Sequence, residues 1–170
     1  KGRAASDALF NSAFASYQMQ DYDGAEDGFS LLSKRYGKAK IARDARWHLA
    51  WMSYLRGDFE AALARWQSLA KEKIGRRQAR TDSTARDRLQ YWSAMALLRL
   101  DREKEAVDIF RELLRDPSID YYAILSWDRL KAIPGVQLTE AENRLGAKRA
   151  VAESELKETI EEETFEAETE

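Results

Sequence analysis

The 170-residue sequence contains no cysteine. That excludes disulfide frameworks, thiolate zinc sites and cysteine nucleophiles. It leaves the compartment open, because a cysteine-free chain is at ease in reducing and oxidising surroundings alike. Proline occurs twice and glycine eight times. Long stretches therefore run without a breaker, which favours helices over many short strands. The longest apolar run falls far short of the roughly 20 residues that a membrane-spanning helix needs. Histidine occurs once, at His48, so a histidine-rich metal site is excluded. Glycine-rich phosphate loops are missing too, with Gly135 and Gly146 standing alone. No strand–turn–helix nucleophile elbow is visible, and no cofactor is implied. The chain begins at Lys1 without methionine, so it is expected to be a processed product or an excised piece. No signal peptide can be read from it.

What is present is apolar enough to fold. Apolar residues make up 44% of the chain, with five Trp, seven Tyr and six Phe, which takes the bulk of it out of the disordered class. Charged residues of both signs are as frequent as helices with one wet face require. The net charge of −2 hides an asymmetry. Residues 151–170 hold nine Glu and one Lys, so the preceding residues are net basic. Within these, Lys71 to Arg88 carries seven basic and three acidic residues.

Three segments repeat one pattern. Ala25, Ala62 and Ala106 are each followed four residues later by a large ring, at Phe29, Trp66 and Phe110. A leucine follows three residues after each ring, at Leu32, Leu69 and Leu113. Twelve residues before each aligned alanine stands another, at Ala13, Ala50 and Ala94. Two helices approach closely only where both are small, and the alanine pairs would mark those crossings. The ring one turn further on fills the space beside the crossing. Burying such a ring is worth about 4–6 kcal/mol before entropy is subtracted. A single hairpin of this size cannot stand alone, so the pattern requires stacking.

The spacing resembles the tetratricopeptide repeat, whose alanine-x3-phenylalanine core is matched three times. The aligned alanines lie 37 and 44 residues apart, against the usual 34 or so. The excess falls in loops at Arg35–Lys40 and Lys73–Ala85. The family's usual glycine in the first helix is alanine here. The expected fold is an all-α solenoid of antiparallel helix hairpins, about three and a half repeats plus a C-terminal helix. Helices are expected at 4–19, 22–35, 40–56, 59–72, 84–100, 103–115, 119–131 and 138–160, with Pro117 and Pro134-Gly135 at breaks. The domain reading is a repeat domain at 1–135, a capping helix at 136–152 and an acidic tail or linker at 153–170.

In tetratricopeptide arrays the first helix of each hairpin lines a concave groove. The outward positions are Phe10, Phe14 and Tyr17 in repeat one, and Trp47, Trp51 and Tyr54 in repeat two. In repeat three they are Tyr91, Met95 and Leu98, with Arg99 beside them. The i, i+4, i+7 spacing puts each trio on one stripe. Taken singly, these rings read as core against the neighbouring hairpin. Taken together, they read as an aromatic-lined groove for a protein or peptide partner or a glycan strand. His48 is expected at the surface or the groove edge. The run Lys71–Arg88, with Lys73, Arg76, Arg77 and Arg80 at its centre, is a candidate for polyanion contact. The alternative is a solvated loop that pairs locally with Glu72, Asp82 and Asp87. A whole-chain pI near 5.7 argues against nucleic acid as the partner.

Arg86–Leu130 also resembles the helical region of soluble lytic murein transglycosylases. The residues that carry the likeness are Tyr91-Trp92-Ser93-Ala94-Met95-Ala96-Leu97, Glu105-Ala106, Asp116-Pro117, Tyr121-Tyr122-Ala123, Leu125 and Arg129-Leu130. In that family such helices stand shortly before the catalytic domain. The resemblance implies a periplasmic protein of peptidoglycan turnover. It does not imply that this chain is the catalyst. The family's catalytic glutamate stands in a Glu-Ser motif followed by Gly-Leu-Met-Gln. The single Glu-Ser here, Glu153-Ser154, opens a glutamate-rich stretch and has no such sequel. A solvated stretch does not raise a carboxyl pKa as a general acid requires. The expectation is a binding scaffold without catalytic residues or metal, with any catalytic domain lying beyond residue 170.

Overall fold

A computed structural model describes residues 2–72, 83–115 and 121–145. Its helices are α1 (Gly2–Gln18), α2 (Tyr22–Arg35), α3 (Lys40–Leu55), α4 (Phe59–Ala70), α5 (Ser83–Arg99), α6 (Glu103–Leu113) and α7 (Tyr121–Ala132). No strand occurs among the described residues. Each helix lies within two residues of its sequence-based position. The fold class is all-α, built of helix hairpins of the tetratricopeptide type. The chain forms two compact units, Lys1–Ala106 and Val107–Glu170. The division falls inside α6, upstream of the break expected at 135. Repeat folds are held mostly by nearest-neighbour contacts.

One local device makes the hairpin turns. Gln20, Gly57 and Asp101 each adopt a left-handed backbone, with φ of 63°, 82° and 56°. The next residue's N–H reaches back five residues in all three turns: Asp21 to Ser16 O at 2.9 Å, Asp58 to Ser53 O at 3.0 Å, and Arg102 to Leu97 O at 2.9 Å. These are Schellman closures, which satisfy the carbonyls a helix end leaves over. Only one of the three positions is glycine, the residue that enters this region without strain. The following helix starts at once. Asp21 and Asp58 accept from the Gly24 and Ala61 N–H groups at 3.0 Å, capping α2 and α4.

The repeating residues form the core as their spacing implies. Ala13, Ala25, Ala50, Ala62, Ala94 and Ala106 are all buried, and Phe29, Trp66 and Phe110 are fully so. In the first hairpin Gly28, one turn beyond Ala25, faces Ala13 across the hairpin. A Cβ added to Gly28 would stand 2.7 Å from the Ala13 Cβ. That contact explains a glycine inside a helix, where it is otherwise unfavourable by about 1 kcal/mol against alanine. Polar ties join neighbouring helices at the rim. Arg56 at the end of α3 pairs with Asp23 and Glu26 of α2. Arg46 grips Glu72 through two nitrogens, at 2.7 and 2.8 Å.

In the second unit, Ala123, Ser126 and Leu130 form the buried stripe of α7. A turn through Gly135, at φ 81°, follows it. Thr139 and Glu142 then form a capping box. The Thr139 N–H donates to the Glu142 carboxylate at 2.6 Å, and the Glu142 N–H donates to the Thr139 hydroxyl at 3.3 Å. Helical backbone begins at residue 140 and is described to 145. Arg111 of α6 secures that start, contacting Glu142 at 3.2 Å and the Gln137 carbonyl at 3.1 Å.

Candidate functional site

The first helices carry the aromatic stripes as columns of stacked rings. On α1, Phe10 and Phe14 lie 6.1 Å apart and nearly parallel, and Phe14 and Tyr17 lie 5.9 Å apart. On α3, Trp47–Trp51 and Trp51–Tyr54 are stacked at 5.8 and 5.6 Å. Four residues of helix rise span about 6 Å, so the backbone itself sets this ring spacing. All six rings are half-buried.

Each column is met by one ring from the next repeat. His48 faces the α1 column, 5.8 Å from Phe10, 5.5 Å from Phe14 and 5.8 Å from Tyr17. Trp92 faces the α3 column, 4.6 Å from Trp51 and 5.5 Å from Tyr54. The two occupy the same place in the repeat, two residues before Ala50 and Ala94. One side of each column therefore seals the seam between successive first helices. A hydrogen bond links the columns, from Trp51 Nε1 to the Tyr17 hydroxyl at 2.9 Å.

His48 requires a correction in part. It is half-buried, as a groove-edge residue would be, but its ring is packed among Phe10, Phe14, Tyr17, Phe29 and Trp47, with Phe29 parallel at 4.9 Å. Its Nδ1 is buried without a partner. Burial, and secondarily the nearby Arg88 charge, bring its pKa down from 6.5 to about 4. The ring is thus neutral in the folded protein at physiological pH.

Tyr91 requires a second. Its side chain is only 2% exposed, so it belongs to the core and not to an open groove. Its neighbour Trp92 is the α5 ring that meets the column. The segment Leu89–Leu98 is apolar nearly all round, and such a helix is buried on several sides. The i, i+4, i+7 stripe of α5 thus falls on Tyr91, whereas the ring at the seam is Trp92. The signal for Trp92 was its alignment with His48.

Other positions fall as follows. Met95 and Leu98 are half-buried, and Arg99 is exposed with its guanidinium 5.9 Å from the Phe59 ring. Arg88 lies 4.1 Å over the Trp47 ring, a cation–π contact the sequence did not single out. Lys73, Arg76, Arg77 and Arg80 lie outside the described residues, as do Glu153, Ser154 and the acidic tail. Among the described residues, Glu72, a candidate for local pairing with the basic run, engages Arg46 of α3, with Arg43 at 3.8 Å. No metal-ligating cluster occurs among the described residues. No helix among them is long and apolar enough to cross a membrane.

Comparison with known families agrees with this geometry. The tetratricopeptide repeat pattern matches residues 7–39 and 88–117. Those stretches coincide with the α1–α2 hairpin and with the chain from α5 through α6. The α3–α4 hairpin lies outside the matches, although it carries the same alanine and ring spacing. No curated protein matches the chain at a significant level.

Proposed function

We propose that this chain is a non-catalytic helical scaffold that docks a protein partner along the face carried by α1, α3 and α5. The observation that carries the reading is the pair of half-buried aromatic columns in register on successive first helices. Aromatic side chains with one sheltered and one open side are the usual anchors of binding hot spots. Tetratricopeptide-like hairpins are interaction scaffolds in general, which favours a protein or peptide over a small substrate. A photo-crosslinking residue placed at Met95 or Arg99 should trap the partner in the native host. The same residue at Leu31, exposed on α2, should trap nothing specific. Equal labelling from Leu31 would sink the reading.

A finer reading rests on the segment Arg86–Leu130. By its likeness to soluble lytic murein transglycosylases, the scaffold is the helical part of a periplasmic protein of peptidoglycan turnover, with a catalytic domain beyond residue 170. The open side of the columns then meets a glycan strand, whose sugar rings stack on aromatic faces. Co-sedimentation with purified cell-wall sacculi tests it, comparing wild type with Trp47→Ala plus Trp51→Ala. Wild-type protein that stays in the supernatant removes the glycan version and leaves the free-standing adaptor.

A further inference from the structure

A cavity of about 1080 Å³ lies apart from the aromatic columns. It is lined by the first turns of α1 and α3, by the end of α2 and by the loop that joins α2 to α3. Its lining holds five basic side chains against two acidic ones, Asp7 and Asp44. Arg3 already stands 3.9 Å from Asp7. Lys34, Lys38 and Lys40 form no ion pair with the described residues. Arg35 packs its guanidinium 5.6 Å from the Tyr36 ring centre.

Helix electrostatics account for only part of this charge. Lys34 and Arg35 close α2, where cations meet the negative end of the helix. Lys38 lies beyond α2. Lys40 is the first residue of α3, at the positive end, where a cation opposes the helix dipole. The helix dipole gives no reason for a lysine there. An anion in the cavity supplies one.

The lining also sets the size and character of that anion. The volume lies just above the roughly 300–1,000 Å³ of small-ligand sites, far more than one phosphate or carboxylate fills. Half-buried Tyr36 and Ile41 add apolar wall. The unpaired cations are mostly lysines, mobile point charges without arginine's planar fork. They suit several carboxylates on a flexible backbone. The geometry points to this cavity as the binding site of a short acidic peptide segment. Its carboxylates meet Lys34, Lys38 and Lys40, and its backbone lies along Tyr36 and Ile41. The site shares no residue with the aromatic columns and stands whether or not they bind.

The test is fluorescence anisotropy of fluorescein-labelled hexaglutamate titrated with the intact chain. Wild type should bind saturably and more weakly as salt rises. Lys34→Glu plus Lys38→Glu should weaken binding about tenfold or more. Both side chains are exposed, so an unchanged circular dichroism spectrum should confirm the fold. Lys34→Arg plus Lys38→Arg should keep the affinity. No saturable binding, or equal binding by the charge-reversed protein, overturns the assignment. Loss on Arg76→Glu plus Arg77→Glu, with Lys34 and Lys38 intact, overturns it in favour of the basic run. Tighter binding of inorganic phosphate or a single-stranded oligonucleotide, abolished by the Lys34 and Lys38 reversals, overturns the peptide as ligand.

Discussion

The first and second seams of the repeat stack are built alike and filled differently. In each, a column of three rings on one first helix receives a ring from the next. The first seam receives His48, which titrates; the second receives Trp92, which does not. Trp92 brings more apolar area and sits 4.6 Å from Trp51, closer than His48 comes to any ring of its own column. Identical placement thus gives one seam an apolar ring and the other a titratable one. The backbone fixes where the ring goes, and the side chain decides what the seam responds to.

Truncation should separate the seams most. Trp92→Ala should destabilise the fold by about 2–4 kcal/mol in urea unfolding, somewhat less than a fully buried tryptophan because the ring is half-buried. His48→Ala should cost about 1–2 kcal/mol. Equal losses would mean that the two seams contribute alike. Next come the hairpins that the seams join. Gly28→Ala forces a Cβ to 2.7 Å from Ala13 and should cost about 1–3 kcal/mol. The aligned residue of the second hairpin is Arg65, which is exposed. Its replacement by alanine should change stability by less than about 1 kcal/mol. A neutral Gly28→Ala would show that α1 and α2 part easily.

The third contrast is in pH. His48 takes up a proton near pH 6.5 when unfolded and near 4 when folded. Between those values the unfolded chain holds more protons, so stability falls as pH is lowered through that window. Below about 4 both states are protonated and this contribution stops changing. Melting temperature followed from pH 7 to 4 should therefore drop more in wild type than in His48→Phe. Parallel curves would remove His48 as the cause. The smallest effect concerns the turns. Gln20→Gly should stabilise by about 0.5–1 kcal/mol, because Gln20 holds a left-handed backbone that glycine adopts freely. Gly57→Ala should do the reverse by a similar amount in the second hairpin.

Much of the fold was legible because it rests on short-range regularities. The alanine, ring and leucine spacing identified the hairpin cores. The candidate site was legible in part. The columns on α1 and α3 stand where i, i+4, i+7 spacing puts them. The α5 stripe failed at Tyr91 because Leu89–Leu98 offers no polar face to orient the helix. Gly28 passed without notice because a helical glycine has meaning only beside the residue it approaches. The cavity at Lys34–Asp44 joins parts of three elements, which no local pattern brings together.

Taken by itself, the sequence determined the helices, their pairing into hairpins and the rings at each hairpin's centre. Those features depend on residues a turn or two apart, or across one short loop. Tertiary structure decided that Tyr91 turns inward and Trp92 meets the column. It also put His48 in a setting that lowers its pKa, and gathered lysines from α2, the loop and α3 around one cavity. These outcomes follow from the rotation of one hairpin against the next, which is set by packing across the seam and leaves no period in the chain.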